Sequence, residues 1–221
     1  MIIPPLKAVI FDMDGILIDS EPMWQKAEYE VLKNLGLNIN YHDTLQTTGL
    51  RIDHVVSYWY QRFPWANYDN NETSKAIVDQ VVKQILNCGE PMSGVMLALE
   101  SCNKRGLKIG LATSSSHTII EAVLNKLNIK HFFDSIHSAE YLTLGKPHPE
   151  VYLNCAHQLD TSPSQCVAIE DSFNGLIAAR AANIHTIAIP AIEQQHDPKW
   201  IIAHKKLASL TDLPEYLANN Q

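Results

Sequence analysis

Apolar and polar residues recur along the chain in two rhythms, and the change between them divides it. Residues 6–11 end in the unbroken apolar run Ala8-Val9-Ile10-Phe11, short and continuous like a strand buried on both faces. From residue 22 the spacing becomes helical. Residues 22–35 carry apolar side chains at three- and four-residue intervals and stop at Gly36, residues 52–63 close at Pro64, and residues 72–86 close before Gly89. A shorter helix is expected at Tyr41–Thr47. Three or four helices without an intervening strand predict a small bundle, with Trp59, Tyr60, Phe63 and Trp65 as its own core.

From Gly94 strand and helix alternate. A helix runs to Asn103 and ends at Arg105-Gly106, and residues 107–112 form a strand. Thr118-Ile119-Ile120-Glu121 has capping-box spacing and opens a helix to Leu127. Then come a strand at 133–138, a helix at 149–159 with proline in its first turn, a strand at 166–169, a helix at 175–182 and a strand at 185–189. The more polar residues after Pro190 add a short strand and helix. Such alternation predicts a parallel sheet covered on both faces. The expected fold is therefore α/β: a doubly wound parallel sheet from residues 1–16 and 91–221, with a helical-bundle cap inserted at 17–90. No internal repeat or low-complexity segment interrupts it.

Composition narrows the function classes. The 221 residues suffice for a sizeable core, and 46% apolar with 19% charged residues is ordinary globular usage. A net charge of −7 repels polyanions and argues against general nucleic-acid binding, but leaves room for a small anionic substrate met by local donors. Cys88, Cys102, Cys155 and Cys166 have no paired metal or redox spacing, so buried reduced thiols are expected. The ten histidines lack zinc-site spacing. Met1-Ile2-Ile3-Pro4-Pro5 lacks the charged n-region and apolar stretch of a signal peptide, and no apolar run reaches membrane-spanning length. A cytoplasmic enzyme is expected, with no membrane partner and nothing that calls for a protein partner.

Candidate chemistry gathers where strands end. Asp12 and Asp14 follow the first apolar run, and residues two apart in extended backbone point the same way. Their charges would repel, and a cation suited to carboxylate oxygens, such as Mg²⁺, would relieve that. On the pair alone, an Asp-rich turn bent at Gly15 explains the residues equally well. Thr113 follows the strand ending at Ala112, and Glu170-Asp171 follow Ile169. Ligands bind at the carboxyl ends of strands in open parallel sheets, so residues as distant in sequence as Asp12 and Asp171 can meet there.

Four segments carry a family resemblance: Asp12-Met13-Asp14-Gly15-Ile16-Leu17-Ile18-Asp19-Ser20, Leu111-Ala112-Thr113-Ser114-Ser115, Gly145-Lys146-Pro147-His148-Pro149 and Ile169-Glu170-Asp171-Ser172-Phe173-Asn174-Gly175. In this order they resemble the signature of the haloacid dehalogenase superfamily, nearly end to end, and are most similar to bacterial sugar phosphatases of the hexitol phosphatase and 2-deoxyglucose 6-phosphate phosphatase kind. The resemblance implies a Mg²⁺-dependent phosphatase of small phosphorylated metabolites. In it Asp12 is the nucleophile that forms an aspartyl phosphate, and Asp14 is the general acid and base. Mg²⁺ is held by Asp12, Asp171 and the backbone carbonyl of Asp14. Lys146, Thr113 and Ser114 bind the phosphoryl oxygens, and Glu170 supports the metal's water or Lys146.

In the cap, Thr48-Gly49-Leu50-Arg51 resembles the family's specificity segment, so Arg51 is expected at the remote end of the substrate and Trp24 against a sugar face. Ser93-Gly94 stands where many relatives have Pro-Gly. A β-phosphoglucomutase-type sugar phosphomutase shares all four motifs and differs in what accepts the phosphoryl group. A phosphonoacetaldehyde hydrolase would lack Asp14, and a non-catalytic binding relative would have no use for Asp12, Asp14, Lys146 and Asp171 together.

Overall fold

The computed structural model describes residues 5–219; the first four residues, most of the stretch read above for a signal peptide, and the last two lie outside them. Six parallel strands form one sheet: β1 (Ala8–Phe11), β2 (Lys108–Thr113), β3 (Ser135–Ser138), β4 (Cys166–Glu170), β5 (His185–Ala188) and β6 (Lys205–Lys206), in the order β3-β2-β1-β4-β5-β6. The chain starts in the middle and winds outward both ways, which puts β1 between β2 and β4. Period-two alternation sorts β1 onto two cores. Val9 and Phe11 join a large cluster on one face, and Ala8 and Ile10 join a smaller one on the other.

The covering helices follow the strands. Helix α4 (Val95–Lys104), α5 (His117–Leu127) and α8 (Leu213–Asn219) pack on the Val9 face, and α6 (Glu150–Gln158) and α7 (Phe173–Ala181) on the Ala8 face. Gly110 of β2 lies so near Cys155 and Leu159 that a Cβ would collide with them. Helix α5 starts one residue before the expected capping box. The reason is tertiary: the Glu140 carboxylate, from the loop after β3, accepts the His117 N–H at 2.9 Å, supplying from outside the acceptor that a local cap would have provided.

Between β1 and α4 the chain inserts α1 (Glu21–Asn34), a 3-10 segment (Tyr41–Thr47), α2 (Ile52–Arg62) and α3 (Asn70–Cys88). Leu32, Leu37, Ile39, Val55 and Trp59 form a core of their own, while Ile77, Val81 and Ile85 of α3 join the large cluster of the sheet. Of the aromatics expected to fill the insert, Trp59 is buried, Tyr60 and Trp65 are partly so, and Phe63 is largely exposed, stacking on Trp59 from outside. Phe63 ends α2, where the helix leaves its packing face. The outgoing and returning strands of the insert pair: Asp19 N–H donates to Glu90 O, Met92 N–H donates to Leu17 O, and Ile18 bridges Pro91. Among the described residues no helix is long and apolar enough to cross a membrane.

Candidate active site

The carboxyl ends of β1, β2 and β4 converge with the loop before α6. Asp12 leaves β1 with its N–H on Ile169 O at 2.9 Å. Lys146 reaches in from the loop between β3 and α6, where the Lys146-Pro147 peptide is cis. Its Nζ donates to Asp12 Oδ1 and Glu170 Oε1, both at 2.6 Å, and to Ala112 O at 2.9 Å. Tyr152 of α6, fully buried, donates its phenolic proton to the same Glu170 oxygen at 2.6 Å. The other Glu170 oxygen accepts the Ser172 N–H and hydroxyl. Gly175 makes this possible, because a Cβ there would run into the Glu170 carboxylate.

The burial of so many charges has a cost that the pKa directions express. Loss of water, with Glu170 and Asp14 nearby, pushes Asp12 up to about 8 despite the Lys146 ammonium beside it. Asp171 is raised well above the carboxylate range, first by desolvation and then by Asp12, Glu170 and Asp14. Burial pulls Lys146 down, but the charges of Asp12 and Glu170 outweigh it and hold the ammonium above the usual lysine range. One cation faces several acids.

This imbalance fits a divalent cation. Asp12, Glu170 and Asp171 each offer a carboxylate oxygen within 4.8 Å of the others. Among the described residues no hydrogen-bond donor reaches the Asp171 carboxylate, which lies against Gly15 so closely that a Cβ there would overlap it. Gly15 sits at φ +72°, so glycine is required twice over. An all-oxygen, hard donor set suits Mg²⁺.

Asp14 stands apart from that cluster. Its Oδ1 accepts Ser20 Oγ–H at 2.5 Å and Trp24 Nε1–H at 2.9 Å, and its Oδ2 accepts Ser115 Oγ–H at 2.7 Å. Thr113, buried at the end of β2, accepts the Ser115 N–H on its hydroxyl at 3.1 Å, which leaves the Thr113 proton available to a ligand. Ser114 is half-buried between them.

The structure thus brings Asp12, Lys146, Glu170 and Asp171 together, with Thr113, Ser114 and Asp14 at their rim. Trp24 comes in from α1 to Asp14. Arg51 does not reach the group: its guanidinium makes a bidentate pair with Asp53 and donates through Nη1 to Ala139 O and Leu142 O of the loop after β3. Sequence reasoning passed over Ser20, Ser115 and Tyr152. The two serines lie inside quoted motifs, whereas Tyr152 has the look of an ordinary core residue on an amphipathic helix.

Residues 9–189 match the family model described as haloacid dehalogenase-like hydrolase. The chain is 44% identical over 207 residues to hexitol phosphatase B of Escherichia coli strain K12, covering 93% of each. It is 32% identical to fructose-1-phosphate phosphatase YqaB of the same strain, over 82% of this chain and 95% of that one. Among solved structures, CbbY from Rhodobacter sphaeroides in complex with phosphate superposes with a TM-score of 0.83 at 25% identity, covering 94% of this chain and 96% of that one. β-Phosphoglucomutase from Clostridium difficile also gives 0.83, at 24% identity over 97% and 96%, a likeness of fold alone.

Proposed function

Because the chain belongs to the haloacid dehalogenase-like hydrolases, we propose that it hydrolyses phosphate monoesters of sugars or hexitols through an aspartyl phosphate on Asp12. The observation that carries this is the separation of two neighbouring carboxylates into different settings. Asp12 meets an ammonium and other carboxylates, whereas Asp14 meets two hydroxyls and an indole.

In the first step an Asp12 carboxylate oxygen attacks phosphorus, the bond from phosphorus to the sugar oxygen breaks, and that oxygen takes the proton carried by Asp14. In the second step water attacks the same phosphorus, its proton passes to the Asp14 carboxylate, and the bond to Asp12 breaks to release phosphate. Lys146, the Thr113 hydroxyl and Ser114 orient the phosphoryl oxygens and balance their charge. Glu170, held by Tyr152 and Ser172, keeps the Lys146 ammonium aimed at Asp12. Mg²⁺ held by Asp12, Asp171 and the Asp14 carbonyl would supply charge neutralisation of the transferring group.

The same reading takes residues 17–90 as a cap and 1–16 with 91–221 as the core, hinged at the paired segments around Ile18 and Pro91. Arg51 belongs to the seam between them and meets a substrate's remote end only by giving up a loop carbonyl. A cytoplasmic setting is part of the proposal; the four cysteines are free thiols, Cys102, Cys155 and Cys166 buried as expected and Cys88 exposed at the end of α3.

The test is inorganic phosphate release with Mg²⁺ across hexitol, hexose, glycerol and nucleotide monophosphates, where steady multiple turnover on hexitol or hexose 6-phosphates is expected. A parallel incubation with β-glucose 1-phosphate and a trace of the bisphosphate follows phosphate and glucose 6-phosphate together. Isomerisation far outpacing phosphate release would make the enzyme a mutase.

A further inference from the structure

We propose that Trp24 is a positioning residue for Asp14, holding its carboxylate so that Oδ2 is the atom through which protons pass. The inference rests on the acid–base reading of Asp14 above and adds the residue that aims it. A carboxylate oxygen has two lone-pair positions. On Oδ1 both are taken, by Ser20 Oγ–H at 2.5 Å and Trp24 Nε1–H at 2.9 Å. On Oδ2 one is taken, by Ser115 Oγ–H at 2.7 Å, and one remains.

The three donors differ in kind. A serine hydroxyl can turn and accept, so Ser20 and Ser115 tolerate a proton on either oxygen. The indole N–H is a donor only. With Ser20 on one position of Oδ1 and the Trp24 N–H holding the other, neither is open to a ligand, and the one open position is on Oδ2. Trp24 is itself fixed: its backbone N–H and that of Met23 donate to Ser20 O in the first turn of α1, and its ring packs against the large core cluster. The acid is therefore aimed from the first helix of the insert, while Asp14 itself belongs to the segment following β1. The side chain expected against a sugar face thus puts its indole N–H on the acid.

A substrate that separates the two roles is p-nitrophenyl phosphate, whose leaving group needs no acid and leaves no sugar behind on the phosphoenzyme. Trp24→Phe keeps a ring and removes the N–H. With Mg²⁺ present, rapid mixing of this variant should give a full burst of nitrophenolate followed by steady turnover slowed about 10- to 100-fold, because only the water-activating half uses Asp14. Adding Trp24→Phe to Asp14→Asn should slow turnover no further. Normal p-nitrophenyl phosphate turnover in Trp24→Phe, with losses confined to sugar and hexitol phosphates, would mean that Trp24 touches the sugar and overturn the proposal alone. Normal turnover in Asp14→Asn would overturn the acid–base reading with it. A measurement that needs no Trp24 variant is the indole N–H spectrum: Asp14→Asn should move one of the four signals, and four unmoved signals would remove the contact.

Discussion

At Asp12 the hydrogen-bond donor is an ammonium 2.6 Å away, which stays charged and opposes the rise that burial imposes on the carboxyl. At Asp14 the donors are two hydroxyls and an indole, neutral groups where Asp12 has a charged one. Two identical side chains two positions apart thus stand in different settings, to which the proposed function gives different roles. Asp12→Asn is expected to abolish phosphoenzyme formation, and Asp14→Asn to permit it while lowering turnover of hexitol phosphates about 10²–10⁴-fold. Intact-mass detection of the trapped intermediate checks both, and a phosphoryl group on any other residue would overturn the assignment of Asp12. Buried Glu28 is a second residue with an assignable consequence. Its carboxylate accepts Thr47 Oγ1–H at 2.7 Å and the Trp59 indole N–H, and burial raises its pKa from 4.5 to about 7. A raised carboxyl pKa means the folded state binds the proton more tightly, so this contribution to stability is lost as pH rises from about 4.5 to about 7. Glu28→Gln keeps the acceptor oxygen and removes the charge. Its melting temperature should exceed the parent's at pH 8, with a gain of about 1–3 kcal/mol, and match it near pH 4.5. Equal melting curves at pH 8 would show that Glu28 does not carry the slope.

Among the elements, α2 is tied to the sheet's loop by one side chain just before its first turn. Arg51 spends its donors on Asp53 and on the carbonyls of Ala139 and Leu142, and its methylenes lie beside Gly145. Asp53 is drawn below the usual carboxylate range by that partnership, against its own desolvation. A guanidinium so engaged acts on the seating of α2 against the loop between β3 and α6, the same loop that delivers Lys146. Arg51→Ala is therefore expected to lower kcat/KM roughly 10-fold for hexitol phosphate and p-nitrophenyl phosphate alike. A loss confined to the hexitol ester would show instead that the guanidinium leaves the loop to grip the substrate.

Across the whole molecule, the strand order decides which acids meet. Because β1 lies between β2 and β4, Asp12 and Asp171, 159 positions apart in the chain, lie within reach of one ion. Chelation of Mg²⁺ is expected to abolish phosphate release, and Ca²⁺ should fail to restore it because its longer, less regular coordination mis-sets the attack from Asp12; full activity in excess chelator would remove the metal from the mechanism. The two rhythms of the chain determined the strand-and-helix alternation, the helical insert and the motifs that end at one sheet edge, because burial on two faces or on one stripe leaves a period in the residues themselves. Local chemistry could not reveal that α5 starts at His117, since its acceptor is Glu140 from another loop. Nor could it reveal that Phe63 faces solvent, that Tyr152 donates to Glu170, or that Trp24 turns to Asp14 and Arg51 to the carbonyls of Ala139 and Leu142. Each of those depends on a partner brought near only by folding. A side chain's spacing along the chain records how much of it is buried, whereas the atom to which it donates is fixed by the packing of distant elements.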